Sequence, residues 1–378
     1  MEPVYFNNAA TSWPKAPQVG ETVAACINGL PHHAGRAGFS GPDVPGKCRS
    51  LLADLLQVKF SERIVFCPNA THALNIALQG FGWRKGGAIV TSVAEHNSVL
   101  RPLYYLAKTR RLSVYKVPVD KEGRIIPAEW QAAIGKYKPQ LAVFTHASNV
   151  TGAINDAALL AGMAKAAGAA TLLDASQTLG LVPVLPEHWG IDLLAFTGHK
   201  YLLGPTGTGG LYIAPGTELN PVWVGGTGIQ SDLDEMPALL PVRFEAGTPN
   251  DAAFAGLAAA LAWSGENPLD NVDGMQGKID RLAAGLTALG ADIIDVRSPR
   301  TPVISCTLKH WTVEDAGEAL HKSFGIICRA GLHCAPQIHS FLGMAPRGTI
   351  RFSLSRFTTD TEVDYCLEAI GMMLHEPF

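Results

Sequence analysis

Lys200 and Asp174 are the residues of this 378-residue chain whose placement points most directly to chemistry. One apolar run, Thr171-Leu172-Leu173, ends in Asp174-Ala175-Ser176-Gln177; a second, Leu193 to Phe196, delivers Thr197-Gly198-His199-Lys200. An acid at one strand end and a lysine at the next suit pyridoxal phosphate. The lysine amine can hold the aldehyde, and the carboxylate can keep the pyridine nitrogen protonated so that the ring accepts electrons. Singly, each has an ordinary reading: Asp174 as a helix cap, Lys200 as a surface lysine.

Two further strand ends carry polar residues. Glu95-His96-Asn97-Ser98 follows one apolar run and His146-Ala147-Ser148-Asn149 another. In open α/β sheets ligands bind outside the carboxyl ends of the strands, so agreement across four strands outweighs the ordinary readings. Asn69-Ala70-Thr71-His72 reads as a helix start, where free N–H groups and the Thr71 hydroxyl could hold a dianion. Thr197 and His199 could add phosphate contacts beside the lysine. Cys334, in Gly331-Leu332-His333-Cys334-Ala335, sits in a loop where the neighbouring imidazole could raise its thiolate fraction. Cys306 and Cys328 read as buried strand thiols, and Cys26, Cys48 and Cys366 as helix-packing ones. The planar guanidinium of Arg351, at the end of Gly348-Thr349-Ile350, suits capture of a carboxylate.

The elements that must position these groups alternate. Residues 87–91, 112–117, 140–145, 170–174, 193–196 and 210–213 read as buried strands, with helical spacing over 98–108, 127–134 and 156–167. This is an α/β pattern with a mostly parallel sheet between helices. After Thr248-Pro249-Asn250 the pattern changes to helices over 252–263 and 271–289, strands near 293–296, 302–308 and 349–354, and helices over 313–323 and 360–374. The expected organisation is an N-terminal segment (1–15) packing with the small domain, a large domain (16–250) and a smaller α+β domain (251–378).

Composition excludes several classes. Hydrophobic residues are 47% and charged residues 17%, which rules out global disorder. A net charge of −3 without like-charge blocks argues against nucleic acid or an anionic membrane as partner. No apolar stretch reaches spanning length, and the first residues lack a signal-peptide pattern. Seven dispersed cysteines without a C-x-x-C pair favour a reducing compartment over disulfides or a metal site. The expectation is a cytoplasmic protein.

The chain resembles the class V aminotransferase-like enzymes of fold type I, and within them the cysteine desulfurase and selenocysteine lyase group. Tyr5-Phe6-Asn7-Asn8-Ala9-Ala10-Thr11, Asn149-Val150-Thr151-Gly152, Asp174-Ala175-Ser176-Gln177, Thr197-Gly198-His199-Lys200, Phe244-Glu245-Ala246-Gly247-Thr248-Pro249-Asn250 and Gly348-Thr349-Ile350-Arg351-Phe352-Ser353 occur in the family's order. Arg329 to Ala335 resembles the catalytic loop of the second desulfurase group. The resemblance implies that Lys200 carries the cofactor, His96 stacks on its ring, Asp174 pairs with its nitrogen and Gln177 with its phenolic oxygen. It implies that Asn149 lies near that oxygen or the substrate carboxylate, and that Ala70, Thr71, Thr197 and His199 lie at the phosphate. Thr248 would reach the phosphate of the neighbouring subunit in a homodimer, and Arg351 would hold the substrate α-carboxylate. The implied reaction takes L-cysteine to L-alanine, leaving a persulfide on Cys334 for a sulfur-acceptor protein. Selenocysteine lyase, or a C–S lyase or aminotransferase that does not use Cys334, are the alternatives. His72 stands where the family usually carries glutamate, and 31–38 follows the family's N-terminal segment only loosely.

Overall fold

The computed structural model describes residues 3–30, 43–268, 271–297 and 299–375; the segment 31–38, with Arg36, lies outside them. The strands are β1 (Val4–Tyr5), β2 (Ile64–Cys67), β3 (Ala88–Ser92), β4 (Ser113–Val117), β5 (Leu141–Thr145), β6 (Ala170–Asp174) and β7 (Leu193–Thr197). They continue as β8 (Gly209–Ile213), β9 (Asp292–Ile293), β10 (Val303–Thr307), β11 (Ile326–Ile327), β12 (Arg329–Gly331) and β13 (Thr349–Ser353). The helices are α1 (Val19–Asn28), α2 (Val44–Leu56), α3 (Ala70–Gly80), α4 (Asn97–Arg110), α5 (Pro127–Tyr137) and α6 (Ala157–Ala166). They continue as α7 (Pro186–Trp189), α8 (Asp251–Glu266), α9 (Asn271–Ala288), α10 (Val313–Phe324), α11 (Pro336–Phe341) and α12 (Asp360–His375).

A seven-stranded sheet in the order β2-β8-β7-β6-β5-β3-β4 organises the larger body. β4, β3, β5, β6 and β7 are parallel, whereas β8 and β2 run antiparallel to their neighbours. The central strands are apolar at consecutive positions because both faces are covered. Phe144, Leu173, Leu194 and Phe196 face one core with Leu52, Trp130 and Leu160; Val143, Leu172, Leu193 and Ala195 face the other with Leu74, Val99 and Leu103. Periodicity alone does not pick out β2, whose Ile64-Val65-Phe66-Cys67 is too short to separate strand from helix.

The second body is a four-stranded antiparallel sheet, β12-β13-β10-β9, against α9, α10 and α12. The N-terminal segment joins it: β1 pairs parallel with β11, and Asn7 bridges Ser353. Gln177 Nε2 donates to Ala9 O at 3.0 Å, linking that segment back to the larger sheet. Phe254 and Leu257 of α8 pack in the larger body's core, against which α2 also lies. Among the described residues no helix is long and apolar enough to cross a membrane.

Candidate active site

The carboxyl ends of β3, β5, β6 and β7 open on one cavity of about 200 Å³. Its wall includes Ala70, Thr71, His96, Asn149, Asp174, Gln177, Thr197, His199, Lys200 and Arg351. Residues spread over 282 positions of chain meet because parallel strands stop at a common edge and β13 brings Arg351 across from the second body.

Asp174 ends β6 and is 4% exposed; its Oδ1 accepts from the Ser176 N–H at 2.9 Å and the Ser176 hydroxyl at 2.5 Å. These bonds fix the carboxylate's direction, so the turn-capping role and the site role coexist. Lys200 follows β7. Burial lowers its pKa to about 8; Asp174 opposes that shift, and Arg351 and Arg329 add to it. His96 caps α4: its Nδ1 accepts from the Ser98 N–H at 3.1 Å, which leaves the ring proton on Nε2. Burial, then Lys200, lowers its pKa to about 4, so the ring is neutral. His199 is likewise lowered to about 4 by burial and then by Lys200 and Lys15, and its Nδ1 has no partner.

α3 enters the cavity N-terminus first. Asn69 Oδ1 accepts from the His72 N–H at 3.0 Å, and helix geometry leaves the earlier N–H groups of the first turn pointing outward. The His72 ring stacks on Trp223, with centroids 5.6 Å apart. Thr197 Oγ1 donates to Thr208 O at 3.3 Å. The Gln177 Oε1 atom is buried without a partner.

Arg351 is 1% exposed. Its Nη1 donates to Asn149 O at 2.9 Å and its Nη2 to Asn7 Oδ1 at 3.3 Å, while Nε has no partner. No carboxylate forms an ion pair with it among the described residues; burial first, then Arg329, lowers its pKa to about 10. Arg329 stands directly opposite it in the β12–β13 register. Two guanidiniums side by side repel unless an anion separates them.

Cys334 lies at the mouth. It lines an adjoining groove that shares Thr71, His96 and Ser98 with the cavity. Arg329 Nη2 donates to Cys334 Sγ at 3.3 Å, and Cys334 O accepts from the Asn97 N–H at 2.7 Å. His333 and Cys334 both hold left-handed backbone (φ 49° and 57°), a conformation that non-glycine residues take only when their surroundings impose it.

At neutral pH His333 carries no charge that could raise the thiolate fraction of Cys334, contrary to the expectation from their adjacency. His333 is buried and its Nε2 meets Thr349 Oγ1 at 2.9 Å; burial, then Arg351, lowers its pKa to about 2. The cation beside the sulfur is Arg329, four strand-and-loop residues away from where sequence adjacency pointed. Thr248 is exposed and lies outside both the cavity and the groove. Sequence reasoning assigned no role to Arg329, Ser176 or the buried Glu95, although all three sit inside segments it singled out. Their signal was position within those segments, not residue type.

The aminotransferase class-V family model matches residues 4–366. A probable cysteine desulfurase of Pyrococcus abyssi is 31% identical over 379 residues, 96% of this chain and 92% of the relative. Another, from Methanothermobacter thermautotrophicus, is 31% identical over 318 residues, 82% of this chain and 79% of the relative. The apo structure of the cysteine desulfurase from Thermococcus onnurineus NA1 superimposes with a TM-score of 0.90 at 29% identity, covering 99% of this chain and 95% of that one. A match running from β1 into α12, on a sheet whose strand ends converge as described, is a match of the whole architecture: the chain belongs to the aminotransferase class-V family.

Proposed function

We propose that this chain is a pyridoxal phosphate-dependent cysteine desulfurase that converts L-cysteine to L-alanine and retains the sulfur as a persulfide on Cys334. The observation that carries this is a buried guanidinium, Arg351, with the half-buried Arg329 opposite it in the sheet and no carboxylate ion-paired to either among the described residues, set between an amine and a thiol.

The residues fit the cofactor. Asp174 offers an oriented carboxylate to a ring nitrogen, His96 a neutral imidazole, and Gln177 and His199 each a buried polar atom without a partner. The first turn of α3, with Thr71, offers N–H groups to a phosphate. When bound, pyridoxal phosphate withdraws electrons from the substrate's Cα.

The chain's own groups do the rest. Arg351 holds the substrate carboxylate through its planar fork. Lys200, with its lowered pKa, takes the Cα proton as a neutral amine and returns it within the same cavity. The Cys334 thiolate attacks the substrate sulfur. A Cys334–sulfur bond forms, the Cβ–S bond breaks, and its electron pair stays on the three-carbon fragment, which gains a proton and leaves as alanine. Arg329 steadies the anionic sulfur at the moment of attack. We further propose a homodimer in which Thr248 completes the neighbouring subunit's phosphate site, and a sulfur-acceptor protein that comes to the groove at Cys334.

The test is incubation of the purified protein with cysteine. Alanine must appear, and the peptide carrying Cys334 must gain one sulfur. Cys334→Ser is expected to keep the cofactor's absorbance while alanine formation falls to background; a variant that still makes alanine at the wild-type rate removes Cys334 from the reaction.

A further inference from the structure

Glu95 sits between β3 and His96 and is completely buried, at 0% exposure. Its two oxygens are treated unequally. Ser92 Oγ donates to Oε1 at 2.5 Å and the Thr145 N–H donates to the same atom at 3.2 Å, whereas Oε2 has no partner. Among the described residues no cation forms an ion pair with it.

The groups on the surrounding elements give it no countercharge. At the end of β6 stands Asp174, whose charge adds to the rise in the pKa of Glu95. After β5 stands His146, buried and bonded through Nδ1 to Thr178 Oγ1, with burial lowering its pKa to about 4. Beside it on its own loop, His96 is neutral, and Lys200 after β7 interacts with Asp174 and His96. An ionised Glu95 would therefore bury an unmet oxyanion next to a second anion, which is the arrangement that drives a carboxyl to keep its proton.

We infer that Glu95 stays protonated at neutral pH and serves as a positioning residue, tying the ends of β3 and β5 together while leaving Asp174 the single anion on the cavity floor. Burial first raises its pKa to about 8, the bonds from Ser92 and Thr145 oppose the shift, and Asp174 adds to it. A second negative charge beside Asp174 would increase the proton affinity of Lys200 and slow its use as a base. The protonation stands on packing alone; only its service to Asp174 rests on the reaction proposed above.

Linkage sets the sign. The unfolded chain releases this proton near pH 4.5 and the folded chain near 8, so Glu95 lowers stability progressively between those values and fully above them. Glu95→Gln imitates the protonated acid and has no such slope. The purified full chain is examined by infrared difference spectroscopy, wild type against E95Q, and by melting temperature from about pH 5 to about pH 9. The expected result is a carboxylic-acid carbonyl band at neutral pH that is lost in E95Q and titrates away in the wild type with a midpoint near 8. The E95Q melting temperature should gain on the wild type as pH rises, by roughly 2 °C or more at the alkaline end. Alanine formation at neutral pH should stay within about twofold, as expected for an isostere that keeps the acceptor. A wild type without the band at neutral pH, or melting curves that run parallel across the range, overturns the inference. If E95Q does not fold, Glu95→Asp takes its place, and the band must then shift in frequency; an unshifted band is not from this residue and overturns the assignment. A protein that shows the titrating band but makes no alanine from cysteine supports the protonation and refutes the desulfurase reading separately.

Discussion

At Lys200, burial and two arginines outweigh the pull of Asp174, and the amine's pKa settles at about 8 instead of its ordinary 10.5. Only the neutral amine accepts a proton, and its fraction grows as pH rises through that value. Alanine formation is therefore expected to climb with pH on the acid side, with a midpoint near 8; a flat profile there would remove Lys200 from the proton transfer. Lys200→Ala should cost on the order of 10²–10⁴-fold in turnover, the usual worth of a positioned acid–base group. Arg351→Lys keeps the charge and loses the fork, so KM for cysteine should rise more than kcat falls. Its opposite outcome, an unchanged KM, would mean that the substrate carboxylate is held elsewhere.

Among the elements, the start of α3 is tightly constrained. β8 passes so close beneath it that an added Cβ at Gly209 would stand 2.7 Å from Phe196 O and 2.9 Å from Asn69 Cα. Both neighbours are backbone and cannot yield cheaply. Gly209→Ala should thus destabilise the protein by about 1–3 kcal/mol, as overpacked positions do. It should also lift the first turn of α3 off the sheet, seen as faster loss of cofactor absorbance on dialysis. Asn69→Ala removes the cap that meets the His72 N–H and should cost about 1 kcal/mol by thermal melting. If G209A holds its cofactor as tightly as the wild type, the anion is not bound at this turn.

For the whole molecule, the site depends on two bodies held in register. Asn7 links β1's segment to Arg351, and Arg351 reaches Asn149 of the larger body. Thr248 is exposed and faces neither cavity of its own chain, which is where a residue serving a second subunit would stand. Sedimentation should then give twice the 40.1 kDa mass of one chain. Mixing Lys200→Ala with Thr248→Ala subunits should restore alanine formation, since one site per mixed dimer would carry both residues. Failure of mixing to restore activity in a proven dimer would place Thr248 outside the neighbouring site.

Much of this architecture is legible in one dimension. The runs at 140–145, 170–174 and 193–196 hold consecutive apolar residues (141–144, 172–173 and 193–196) because both faces of the sheet are covered, and β5, β6 and β7 occupy them within a residue. Lys200, Asp174 and His96 are legible for the same reason: polar residues at or just after the ends of buried strands stand out against what precedes them; Arg351 instead lies in the middle of β13, where a charge within a buried run stands out. Other features depend on contacts between segments far apart in the chain. That Arg329 and not His333 faces the Cys334 sulfur follows from the β12–β13 pairing and a left-handed loop, neither of which residue order encodes locally. That Glu95 is an uncharged carboxyl follows from the strand ends enclosing it. Residue types and their order thus determined the fold class and the reagents. The tertiary structure decided which charges those reagents meet, because burial and proximity, not spacing along the chain, set the free energy of a charge.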